Sequence, residues 1–189
     1  MNQRALIQEC TRLTALFLTS RAEALEQAVR VSVDALRGGR KILLFGNGGS
    51  AAEAQHFAAE LVNKFFKSRP PIRAVALTTD TSVLTSIGND AGFETVFSRQ
   101  IEALADAGDV ALALSTSGGS PNVIRALRAA RKRKMVTIGL TGEGGGKMAG
   151  LCDILLDVPS SRTPRVQEIH LIALHVLAEE IEKRLVKKK

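Results

Sequence analysis

His56 and Glu60 stand four residues apart in a stretch with helical spacing, so an imidazole and a carboxylate project from one face. Such a pair can pass protons, although alone it reads as a surface contact worth roughly 0.3 kcal/mol. A second polar group changes the balance. From Ile169 to Ala178 the chain is apolar almost all round, as a buried helix is, yet the run holds His170 and His175, preceded by Gln167 and Glu168. A histidine in that setting needs a hydrogen-bond partner or a metal. Spacing leaves the choice open: Glu168 and Gln167 precede His175 by seven and eight residues, both roughly on its face. His170 points elsewhere and reads as a satisfied structural histidine.

The elements around these groups are legible. Lys41 to Glu60 reads as strand, glycine turn, helix: the apolar run Ile42 to Phe45 ends in Gly46, Gly48 and Gly49, which let a ligand approach the backbone. Ser50 falls where a helix N-cap belongs, with Glu53 completing the Ser-x-x-Glu capping box. Ser115-Thr-Ser-Gly-Gly-Ser-Pro-Asn122 repeats the design, with Ser120 at the N-cap and Pro121 at the first helical position. Capping needs one hydroxyl and this loop offers four, so it reads as a phosphate cradle at a positive helix end. Gly46 to Ala51 also matches the dinucleotide pattern G-x-G-x-x-A. The second strand, however, ends in Leu77-Thr-Thr with Asp80 three residues on, not in an acidic residue, so a nicotinamide site has little support.

Five short apolar runs lack period-two alternation, as strands covered on both faces do: Ile42 to Phe45, Ala74 to Leu77, Val110 to Leu114, Val136 to Leu140 and Ile154 to Val158. Helical spacing fills Ser50 to Phe66, Thr81 to Ile87, Phe93 to Ala105, Ser120 to Arg133 and Thr163 to Lys183. Alternating β and α predict an α/β fold, a parallel five-stranded sheet in a three-layer doubly wound sandwich. Residues 1–38 form a helical arm and 39–189 the core of one domain. The arm packs against either a neighbouring subunit or its own sheet. In such a sheet the loops at the C-terminal strand ends carry the chemistry, and here they are rich in hydroxyls and glycine.

Of 189 residues, 45% are hydrophobic and 24% charged, which argues against disorder. Cys10 and Cys152 are the only cysteines and form no Cys-x-x-Cys pattern, as expected in a reducing cytosol. No signal-peptide core or membrane-length apolar run is seen. The net charge of +7 invites a nucleic-acid reading, but the excess is local, at Arg128 to Lys134 and Lys187 to Lys189, and no Trp or Tyr is present to stack on bases. A solvated basic surface that attracts small anions is the better account.

Gly46-Asn-Gly-Gly-Ser-Ala-Ala-x-Ala-Gln-His56, Ile87-Gly-Asn-Asp90, Ser115-Thr-Ser-Gly-x-Ser120, Leu140-Thr-Gly142 and Arg165-Val-Gln-Glu-x-His170 together resemble the phosphoheptose isomerase family of the sugar isomerase (SIS) superfamily. The resemblance extends from the N-terminal helices to about Leu185. It implies a flavodoxin-like SIS fold and isomerisation of sedoheptulose 7-phosphate to D-glycero-D-manno-heptose 7-phosphate, on the way to the ADP-heptose of bacterial lipopolysaccharide. It further implies a cytoplasmic homotetramer with sites at subunit interfaces and one zinc ion per subunit.

Carried over by motif, the zinc ligands are His56, Glu60, Gln167 and His175, with Glu60 and His175 the acid/base pair. Substrate contacts implied in the same way are Asn47, Gly48, Gly49, Asn89 and Asp90, then Ser115, Thr116, Ser117 and Ser120, together with Glu60 and Gln167. The alternative is a non-catalytic SIS binding protein, either a sugar-phosphate sensor or the relative that binds the replication initiator. That relative lacks Glu and His at the positions of Glu60 and His175 and has a basic residue at that of Ser117. This chain carries the isomerase types at all three. It departs from the isomerases at Gly119, where Asn is usual, and from some of them through Pro159 to Pro164.

Overall fold

Each apolar run is a strand in the computed structural model, which describes residues 3–186: β1 Ile42–Phe45, β2 Ala74–Ala76, β3 Val110–Ser115, β4 Val136–Thr141 and β5 Ile154–Asp157. The order is β2-β1-β3-β4-β5 and every pairing is parallel. Alternation decides which core each side chain joins. Ile42, Leu44, Val110 and Leu112 face one layer, while Leu43, Phe45, Ala111 and Ala113 face the other. Both sets are buried, which explains why the strands read as unbroken apolar runs.

Helices α1 Gln3–Ser20, α2 Ala22–Arg37, α3 Gly49–Val62 and α7 Thr163–Leu185 contribute to the first layer. The second contains α5 Val96–Leu104 and α6 Pro121–Lys132, with α4 Thr81–Ala91 beside them. Leu13 and Phe17 of α1 and Val29 and Val33 of α2 are buried in the chain's own core. Arg21, between these helices, grips Asp157 with two hydrogen bonds of 2.8 and 2.9 Å and ties the arm to the end of β5. Asn2 and the Lys187 to Lys189 tail lie outside the described residues.

Several boundaries differ from the sequence reading. Helix α3 is capped by Gly48, not Ser50, because the entry needs φ of 55°, a conformation glycine adopts without strain. Ser50 lies inside the helix, and neither it nor Glu53 makes a capping hydrogen bond there. Helix α3 also stops at Val62 instead of Phe66, since the N–H groups of Phe65, Phe66 and Lys67 turn to the Glu182 carboxylate. Finally, α4 runs on to Ala91, and the expected helix from Phe93 divides into a 3-10 turn, Phe93–Thr95, followed by α5.

Candidate active site

Two loops meet where the strand order reverses, at the C-terminal ends of β1 and β3. Such a crevice is where doubly wound sheets bind ligands. In the β3 loop the Ser115 hydroxyl lies 3.0 Å from that of Ser120 and 3.5 Å from that of Ser117. Ser120 and Pro121 hold the N-cap and first helical positions, yet the Ser120 side chain caps nothing. Its hydroxyl joins the serine cluster instead, at the positive end of α6. Ser115 is buried, Ser117 is exposed, and Thr116 is half-buried with its carbonyl accepting from the Gly142 N–H.

Across the crevice, Asn47 and Asn122 exchange two amide hydrogen bonds of 2.9 and 2.8 Å. Cavities of about 120 and 220 Å³ flank Asn47, and Phe93 lines both. The larger groove of about 600 Å³ between β2, α4 and α5 contains none of the site residues expected from the sequence.

Helices α3 and α7 face each other through a ladder of polar contacts. At its start the Gln167 amide packs on Gly49, where a Cβ would overlap it, so glycine is what admits that side chain. One turn on, buried His170 donates from Nε2 to the Thr141 carbonyl at 3.1 Å, while its Nδ1 lies 3.7 Å from Glu53. His170 is thus buried as expected but only half satisfied: Nε2 is bonded, whereas Nδ1 and the facing Glu53 Oε2 have no hydrogen-bond partner. Further along, His56 Nε2 and His175 Nε2 lie 2.9 Å apart, their rings edge to face. Glu60 Oε1 is 3.6 Å from His56 Nε2, and the Phe65 ring borders His175 at 5.8 Å between centroids.

The fold therefore unites His56, Glu60 and His175 from two helices. In this chain Gln167 stays at Gly49, and its Cα lies about 12 Å below that of His175 at 1.5 Å per residue. Glu168 turns away toward Arg165 and Cys10 of α1. Asn89 donates to Asp90 at 2.7 Å on the exposed end of α4, just before the Gly92–Phe93 turn that reaches the cavities.

Among the described residues no three His, Cys, Asp or Glu side chains already close round one point as a metal cage. The donor chemistry nevertheless fits zinc: two imidazole nitrogens converge, and the Glu60 carboxylate lies 3.6 Å from one of them.

Two features escaped the sequence reading. Asn122 sits inside the serine motif but resembles any polar residue in a first helical turn. Arg69, in a loop, donates to the carbonyls of Glu60 and Leu61 at 2.8 Å each and so holds the end of α3. The sequence marks Arg69-Pro-Pro only as a loop.

The SIS domain family profile matches residues 6–142. A phosphoheptose isomerase of Nitratidesulfovibrio vulgaris is 53% identical over 169 residues, spanning 89% of this chain and 81% of that relative. The solved phosphoheptose isomerase of Neisseria gonorrhoeae superposes with a TM-score of 0.89 at 47% identity, covering 95% of this chain and 96% of that one. The structure from Francisella tularensis gives the same TM-score and coverage at 33% identity.

Proposed function

Because this chain belongs to the SIS domain family, and within it to the phosphoheptose isomerases, we propose that it interconverts sedoheptulose 7-phosphate and D-glycero-D-manno-heptose 7-phosphate. The observation that carries the proposal is the meeting of His56 with His175, 119 residues apart in the chain, with Glu60 alongside.

Moving the carbonyl from C2 to C1 requires a proton to leave C1, an enediol to be held, and a proton to be returned at C2. Glu60 is the carboxylate assigned to the carbon-bound proton, and His175 is its acid/base partner. With no zinc bound, His56 holds His175 in place by sharing one proton between their Nε2 atoms. The serine cluster and the start of α6 take the phosphate. Five carbons, C3 to C7, separate the phosphate from the C2 carbonyl, so the cradle and the proton-transfer groups need not touch.

Zinc fits the same reading, with His56, Glu60 and His175 as the residues that would hold it; when bound, it would polarise the substrate oxygens. Gln167 is the fourth ligand that the resemblance implies. The homotetramer belongs to this proposal too, supported by large apolar side chains left exposed at Ile7, Phe66, Phe93 and Leu104. No helix among the described residues is long and apolar enough to cross a membrane. A cytoplasmic location and a role in lipopolysaccharide assembly complete the proposal.

The test is to incubate the purified protein with sedoheptulose 7-phosphate, with and without added zinc, and to follow the aldose by NMR. Conversion supports the assignment. No aldose under either condition would overturn it in favour of a binding protein.

A further inference from the structure

The second residue of α6, Asn122, is a buried asparagine, 3% exposed, and its surroundings fix which way its amide points. The Val123 N–H can only donate, and it meets one side-chain atom of Asn122 at 2.9 Å, so that atom is the oxygen. The other atom is then the nitrogen, and it faces Asn47 at 2.8 Å, which obliges Asn47 to present its own oxygen there. The Asn47 nitrogen in turn donates to Asn122 Oδ1 at 2.9 Å. One backbone N–H thereby sets the polarity of both amides. The ring they close spans the crevice between β1 and β3, joining the glycine loop to the serine loop.

An amide nitrogen carries two hydrogens, and the ring uses one. The second hydrogen on Asn47 remains at a half-buried side chain flanked by cavities of about 120 and 220 Å³. We infer that Asn122 is a positioning residue for ligand binding, locking Asn47 so that its second N–H is presented to an oxygen of the phosphorylated sugar. The inference rests on the proposed reading that Asn47 contacts the substrate. Asn122 itself touches no reacting atom. It acts through Asn47, and the pair links the glycine loop to the start of α6.

A double-mutant cycle separates this role from a merely structural one. In Asn47→Ala and Asn122→Ala the KM for sedoheptulose 7-phosphate should each rise about tenfold, as loss of a hydrogen bond near a charged ligand allows, with kcat changed far less. The double variant should be no worse than Asn47→Ala. Multiplying penalties, or an unchanged KM in Asn122→Ala, would overturn the inference.

If Asn122→Ala does not fold, Asn122→Asp serves. It keeps the shape and the acceptor for Val123 N–H but sets a carboxylate oxygen against Asn47 Oδ1, and the same rise in KM is expected. If the wild-type protein does not turn the sugar over, the functional reading has failed, and the pairing is then read from the Asn47 side-chain amide protons by NMR. Slow exchange in the wild type and fast exchange in Asn122→Ser, whose short side chain cannot reach Asn47, uphold the lock. Fast exchange in both refutes it.

Discussion

Arg69 donates from Nε to Glu182 Oε2 at 2.8 Å, and both side chains are sealed from solvent, with exposures of 1% and 2%. Glu182 also accepts from the backbone N–H groups of Phe65, Phe66 and Lys67, while Arg69 holds the carbonyls at the end of α3. The pair therefore anchors the segment that carries Glu60 and borders His175. Removing one partner leaves a buried, uncompensated guanidinium and strands several N–H groups. Glu182→Gln is expected to destabilise the fold by about 3 kcal/mol, measured as a lower urea midpoint at unchanged slope.

The same carboxylate sets an acid limit. Burial alone would raise its pKa, but the three backbone N–H groups and Arg69 outweigh that and hold it at about 2, below the ordinary 4.5. A carboxylate with a depressed folded-state pKa contributes stability that is complete above about 4.5 and lost as the pH falls toward 2. The thermal midpoint should accordingly drop between these values, and the drop should be shallower in Glu182→Gln. Parallel curves for the two proteins would show that other groups set the limit.

Gly49→Ala separates activity from stability. The new methyl meets only the far end of the flexible Gln167 side chain, and alanine favours a helix over glycine, so stability should change by less than about 1 kcal/mol. The Gln167 amide must leave its place, however, and kcat/KM should fall about tenfold or more. Equal turnover by the variant and the wild type would remove Gln167 from the site.

Zinc content gives a readout independent of turnover. The wild-type protein, loaded and then gel-filtered, is expected to retain about one ion per chain, and His56→Ala much less. Atomic absorption measures both. Undiminished retention by His56→Ala would place the ion elsewhere.

Most of the fold was legible because both faces of the sheet are covered, so the five strands stood out as short apolar runs between turn residues. The His56 and His175 pair was legible in part: an imidazole in an apolar helix signals a partner, but only the parallel packing of α3 on α7 names it. The Gly48 cap was missed because Ser50 satisfied a local rule that a positive φ overrides. Asn122, Arg69 and Glu182 were not legible for a related reason. Their importance lies in contacts across the fold, such as Glu182 reaching the N–H groups of Phe65 to Lys67, and no local spacing encodes them.

The central claim is that Glu60 moves the substrate's proton, and the most direct measurement is the rate at which Glu60→Gln converts sedoheptulose 7-phosphate to the aldose, followed by NMR beside the wild type. Glutamine keeps the shape and cannot act as the base, so the rate should fall by at least about a hundredfold with the thermal midpoint nearly unchanged. Wild-type turnover by Glu60→Gln would contradict the account.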